Sequence, residues 1–167
     1  EFCEDYKKYI SDCKTERECA AEAIQIAENA GYRDLKKVIA ENGKLKAGDK
    51  VYACHMGKTL ALFNIGKEPL ENGMKILGAH IDSPRIDVKQ NPLYEDSDMA
   101  LLDTHYYGGI KKYQWVALPL AMHGVVALKD GRTVNVVIGE DINDPVLGVT
   151  DLLIHLAAEQ MEKKGAN

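Results

Sequence analysis

The hydrophobic period of this chain changes at Lys50, and that change limits the folds open to it more than any other feature. Before it, Ala20, Ala23, Ile24 and Ala27 recur at the spacing of one helical face. After it, VYACHM and TLALFNIG are β-type stretches parted by Gly57-Lys58, a pair that suits a hairpin turn. Helix and strand signals follow one another in one chain, so a mixed α/β class is expected.

Boundary signals sharpen that reading. Thr15, Glu16, Arg17 and Glu18 match a capping box, in which the Thr15 hydroxyl and the Glu18 carboxylate satisfy orphan amides at a helix start. Gly31 sits where a left-handed C-cap belongs, which predicts a helix from Thr15 to Ala30. A shorter helix is predicted from Tyr32 to Glu41, closed by Asn42-Gly43. After the turn signal Glu71-Asn72-Gly73, the apolar run MKILGAHID has the composition of a buried central strand, which would deliver His80 at its end. RIDVK alternates as a strand and QNPLYEDSD reads as a polar loop, which places a domain boundary near Pro92 and gives domains 1–91 and 92–167. The second is β-rich: YQWVALPLAMHGVVALKDG and RTVNVVIG are joined at Lys129-Asp130-Gly131, whose Asp-Gly pair favours a tight turn. Thr150 and Asp151 then read as the cap of a helix over DLLIHLAAEQMEKK, with Leu152, Leu153, Leu156 and Ala157 on one face.

Composition excludes several function classes. At 167 residues and 46% hydrophobic, the chain can bury one medium core or two small ones. Its formal net charge of -5, with basic residues scattered among acids, disfavours nucleic acid and anionic lipid as partners. No apolar run approaches the roughly 20 residues of a membrane span. Cys3, Cys13, Cys19 and Cys54 include no C-x-x-C pair and follow no signal peptide, so reduced thiols and a cytoplasmic location are expected. The chain opens on Glu1 rather than Met, and an incomplete chain is expected.

His80 and Asp82, in GAHIDSP, are the candidate chemistry. On an extended strand, residues two apart leave the same face, about 7 Å apart at the Cα atoms. An imidazole aimed into a cleft can ligate a metal through one nitrogen while its other nitrogen takes a carboxylate. Ser83-Pro84 ends the run, and ligands of α/β sheets bind outside the carboxyl ends of strands. The spacing leaves a second reading open, a structural His–Asp pair.

GAHIDSPRIDVK, THYYGGIKKYQW, DPVLGVTDLLIHLAAEQ and the KTERE string around Thr15 together resemble the aspartyl aminopeptidase family of zinc metallopeptidases, in particular its bacterial branch. The resemblance implies a mixed-sheet catalytic domain of the zinc aminopeptidase type, represented by its N-terminal part, plus part of an inserted β-rich dimerisation domain. It implies His80 as a ligand of a two-zinc centre, with cobalt or manganese as alternative ions, and Asp82 as a catalytic-site carboxylate that orients the ligands. Many members have Thr where this chain has Ile81. It implies peptide substrates that lose their N-terminal residue, an acidic one in the well-known members, to a metal-activated water with a Glu as general base. His105 is matched to a histidine that contacts substrate in a neighbouring subunit. A large homo-oligomer built from dimers, commonly a dodecamer, is implied, with Val116 to Val126 as candidate buried surface. The other metal ligands and the Glu base are implied downstream of these 167 residues, so the segment alone is expected to be inactive.

His55, His123 and His155 lack a carboxylate or Cys at ligand spacing and read as structural or surface residues. Asp87 reads as part of a solvated strand face, and Trp115 with Leu118 to Leu120 as core or subunit contact. Two other functions remain open: a non-catalytic assembly domain, and a related metal-dependent amidohydrolase.

Overall fold

The computed structural model describes residues 1–164, so positions 165–167 of the expected second domain lie outside it. It divides into two compact units, Glu1–Ser83 and Pro84–Asn167.

In the first unit, helix α1 spans Phe2–Asp12 and α2 spans Glu16–Asn29. The capping box is present as expected: the Glu18 amide donates to the Thr15 hydroxyl, and the Thr15 amide donates to Glu18 Oε2 at 2.9 Å. Gly31 takes a positive φ of 87° just past the helix. The second predicted helix is shorter than Tyr32 to Glu41. Arg33–Asp34 form a short strand, β1, and helix α3 covers Leu35–Ala40 with the Asp34 carboxylate accepting from the Lys36 amide. Asn42, not Gly43, takes the left-handed turn, at φ 52°. Gly43 is needed for another reason: its amide donates to the Val38 carbonyl, and a Cβ there would lie 3.0 Å from a Val38 methyl.

Strands β2 (Lys50–His55) and β3 (Thr59–Asn64) form the expected antiparallel hairpin, and β1 adds to β2 in parallel. Met56 and Gly57 both have positive φ at the turn, the geometry that matches strand twist. Ala20 and Ala27 of α2, Val38 of α3, and Val51 and Tyr52 of β2 are the buried residues of this unit. Small alanines let α2 lie close to the sheet, and polar bonds tie the edges: Tyr52 donates to Glu28 at 2.7 Å, and Arg17 to the Met56 carbonyl at 2.8 Å.

The second unit is built from two hairpins. Strands β4 (Arg85–Asp96) and β5 (Met99–Tyr107) pair antiparallel around a turn in which Ser97 and Asp98 both have positive φ. The QNPLYEDSD loop is therefore corrected: most of it continues β4. Register is lost between Val88 and Leu93, where Pro92 has no N–H to give the ladder. Pro92 marks a bulge inside a strand, and the units divide at Ser83/Pro84. Strands β6 (Met122–Ala127) and β7 (Thr133–Ile138) form the expected second hairpin, with Gly131 at φ 87° and Asp130 accepting from Arg132 in the turn.

The predicted helix over DLLIHLAAEQMEKK is corrected. The chain makes only a 3-10 turn at Ile154–Leu156 and a short helix, α4, at Ala158–Met161. Asp151 still caps locally, accepting from the Leu152 amide at 2.8 Å and from Gln160 at 2.9 Å, and those bonds hold its carboxyl below the usual range. Leu152, Leu153, Ile154 and Leu156 are all exposed, and Ala157 alone of the expected apolar face is buried. An amphipathic face stabilises a helix only when it is packed against something.

Candidate functional site

The segment leading to His80 departs most from expectation. No strand forms between Gly73 and Arg85, so MKILGAHID is not a buried central strand here. Ile76 is 80% and Leu77 101% exposed. An apolar run of this kind is stable as a strand when neighbours pair its backbone and cover both faces. Among the described residues it has no ladder partner.

The two site residues nevertheless meet. The His80 ring folds towards Asp82, with Nδ1 3.1 Å from the Asp82 carbonyl oxygen and 3.2 Å from Oδ1. A proton on Nδ1 donates to these oxygens and leaves the Nε2 lone pair free to coordinate an ion. The His80 side chain is 85% exposed, so that lone pair is reachable. Asp82 is the more sheltered partner, at 37%. Fixing the tautomer and orienting the ring is chemistry this pair can do without help.

A zinc ion needs more. Among the described residues no group of three His, Cys, Asp or Glu side chains could hold a metal ion. Structural and catalytic zinc sites take about three or four protein ligands. The pair therefore fits one arm of such a site, a coordinating imidazole with its oriented carboxylate.

His105 lies near the end of β5, exposed and opposite Asp87 across the ladder, with Nδ1 3.4 Å from the Tyr106 carbonyl. Asp87 is not simply a solvated face residue. Arg85 Nε donates to its Oδ1 at 2.7 Å, both side chains are about a quarter exposed, and the Arg85 guanidinium stacks 4.2 Å over the Tyr107 ring. Its carboxylate is thus engaged by a cation.

His55 ends β2 on the surface, and His155 is exposed in the 3-10 turn. His123 is different: its Nε2 lies 2.9 Å from Glu140 Oε1, and its side chain is only 11% exposed. Local spacing concealed this pair because the partners are brought together by the β6–β7 hairpin. Within the hairpin His123 lies opposite Val137, and Glu140 reaches it from just beyond the end of β7.

Comparison with known proteins supplies the context these distances lack. The family described as aminopeptidase I zinc metalloprotease (M18) matches residues 9–167. A probable M18 family aminopeptidase 1 of Clostridium acetobutylicum is 65% identical over 161 residues, covering 96% of this chain and 35% of the relative. The crystal structure of aminopeptidase I from that organism superposes with a TM-score of 0.82, covering 97% of this chain and 36% of the other. The M18 aminopeptidase structure from Thermotoga maritima, at 40% identity, gives 0.85 over 99% of this chain and 36% of the other. The S. cerevisiae mApe1 dodecamer, at 18% identity and a TM-score of 0.73 over 91% of this chain and 36% of the other, shares the fold. The chain spans about a third of the length of the curated relatives it matches. With the family match running through both units and through His80 and Asp82, the chain belongs to the aminopeptidase I family of M18 zinc metalloproteases.

Proposed function

We propose that the full-length protein is a zinc-dependent aminopeptidase that removes the N-terminal residue of peptides. The observation that carries this reading is the His80–Asp82 pair, an exposed imidazole whose Nδ1 is held by a carboxylate in a chain of a zinc metalloprotease family. His80 Nε2 is the proposed metal ligand, and Asp82 the carboxylate that fixes its tautomer and raises its basicity. When bound, zinc would polarise the scissile carbonyl and lower the pKa of a water. The remaining ligands and the general base are assigned to the part of the protein outside these residues, because no described group completes the set.

The first unit is proposed as part of the catalytic domain and the β-rich second unit as part of an inserted domain that makes subunit contacts. His105 is proposed to touch substrate from the second unit, its exposed ring leaving it free to do so. Assembly into a homo-oligomer of dimers, up to a dodecamer, is supported by the fold shared with a dodecameric relative and by exposed apolar residues such as Leu118 and Val126. No helix among the described residues is long and apolar enough to cross a membrane. Four free thiols suit the proposed cytoplasmic location.

Metal analysis of full-length protein with and without His80→Ala tests the reading, alongside hydrolysis of a panel of aminoacyl amides. Loss of bound zinc together with loss of aminopeptidase activity is expected. Full zinc content in the variant would favour an assembly role with a structural His80, and turnover restricted to acylated substrates would favour an amidohydrolase.

A further inference from the structure

The tripeptide Glu-Asn-Gly occurs twice in the first unit, at Glu41–Gly43 and at Glu71–Gly73, so immediate neighbours give the two asparagines the same intrinsic chemistry. Their surroundings differ. Asn42-Gly43 closes α3 against the core: the Asn42 amide donates to the Ile39 carbonyl at 3.0 Å and the Gly43 amide to the Val38 carbonyl at 2.9 Å. A Cβ on Gly43 would lie 3.0 Å from a Val38 methyl, and Val38 is only 4% exposed, so releasing the Gly43 amide disturbs a core contact. Asn72-Gly73 ends a 3-10 turn at Leu70–Asn72. The Asn72 and Gly73 amides donate to the Pro69 and Leu70 carbonyls at 3.1 and 2.9 Å, yet Leu70 is 73% exposed and a Cβ on Gly73 would meet nothing within 4 Å among the described residues. Asn72 Nδ2 donates to Glu68 Oε2 at 3.2 Å, a local and exposed contact.

We propose that Asn72 is a modification site, at which the folded protein converts asparagine to aspartate and isoaspartate through attack by the Gly73 backbone nitrogen, while Asn42 is protected. The Gly73 nitrogen bonds to the Asn72 side-chain carbonyl carbon and gives up its proton, the bond from that carbon to Nδ2 breaks, and ammonia leaves with the proton. The cyclic imide then adds water at either of its carbonyls, which yields aspartate or an isoaspartate whose backbone runs through the side-chain carbon. Water is the only co-reactant. Either product sets a new carboxylate at the head of the open run that leads to His80, and isoaspartate also lengthens the backbone there by a methylene.

Local opening sets the rate. Ring closure requires the asparagine ψ to turn until the following nitrogen reaches the side-chain carbonyl, and that nitrogen must first let go of its acceptor. At Gly73 this opens a single solvent-exposed turn, a fluctuation of low free energy. At Gly43 it unravels the end of α3 and lifts it off Val38, which draws on the stability of the core. Identical tripeptides therefore differ in reactivity because of what stands around them.

Incubation of the full-length protein at mildly alkaline pH, in native buffer and in concentrated guanidinium chloride, followed by tryptic mapping under mildly acid conditions, provides the test. Cleavage after Lys37, Lys44, Lys67 and Lys75 puts Asn42 in Val38–Lys44 and Asn72 in Glu68–Lys75. In the native protein Glu68–Lys75 is expected to gain its acid form about tenfold faster than Val38–Lys44, equivalent to about 1.4 kcal/mol in the cost of opening. In denaturant the two rates are expected to converge. No conversion of Asn72, equal native rates, faster conversion at Asn42, or a ratio that persists in denaturant would each overturn the assignment. An enzyme that methylates isoaspartyl carboxyls gives a second readout: it should label Glu68–Lys75 from the aged native protein, and an acid form that takes no label overturns the cyclic route.

Discussion

At the scale of single residues, the chemistry of this chain rests on short polar contacts. The Asp82 carboxylate at His80 Nδ1 is the clearest, and its removal has a graded consequence. Asp82→Asn in the full-length protein is expected to weaken zinc binding by roughly 10–100-fold without abolishing it, as read by competition with a chelator. His80→Ala removes the nitrogen proposed as the ligand and should abolish that share of binding. Tyr52 offers a separate handle in the core. Its hydrogen bond to Glu28, followed by burial, pushes the phenol up to about 12. Because the folded-state value is raised, this contribution to stability is fully present below the unfolded value near 10 and is lost as pH rises through about 12. Tyr52→Phe should cost about 1 kcal/mol at neutral pH, measured by urea denaturation, and should remove one of the two phenol steps near 12 from an ultraviolet titration, Tyr9 supplying the other.

Among the elements, the ones that formed as expected carry their instructions locally. Helix α2 starts at Thr15 because the capping box satisfies its first amides, and Thr15→Ala should destabilise the protein by about 1 kcal/mol in a denaturant titration. The β2–β3 hairpin turns at Met56-Gly57, both in the left-handed region. Gly57→Val should cost roughly 1–2 kcal/mol, because a β-branched side chain is strained there and its Cβ would also crowd the Arg17 guanidinium at 3.1 Å. The elements that departed from expectation lack such local instructions. MKILGAHID and DLLIHLAAEQMEKK have the right apolar content, yet Leu77, Ile154 and Leu156 find nothing to bury them among the described residues. The Ser97-Asp98 turn carries no strong hairpin signal in sequence because it uses positive φ without glycine or asparagine. Pro92 reads locally as a break in the chain, while its effect within β4, a loss of register, depends on what β5 presents opposite it.

For the molecule as a whole, the decisive fact is that the chain spans about a third of its curated relatives and, among the described residues, holds no complete metal-ligand set. The 167-residue segment, expressed by itself, should bind no stoichiometric zinc by metal analysis, whereas the full-length protein should bind it and elute as a homo-oligomer in light-scattering chromatography. A full complement of zinc on the segment would show that a ligand set exists within it. The large exposed apolar residues of both units, from Phe2 and Ile76 to Leu153, fit a polypeptide whose cores are completed by further chain or further subunits.

The sequence by itself determined the local events and the family: the capping box at Thr15, the hairpins at Gly57 and Gly131, the identity of the His80–Asp82 pair and the string of motifs that match M18 enzymes. Each depends on residues close along the chain, where backbone sterics and short hydrogen bonds act without outside help. The tertiary structure alone decided that β4 runs through Pro92, that His123 meets Glu140, and that the run before His80 lies open rather than paired in a sheet. Those outcomes turn on partners far away in sequence, and an apolar segment becomes a strand or a helix only where something else removes its surface from water.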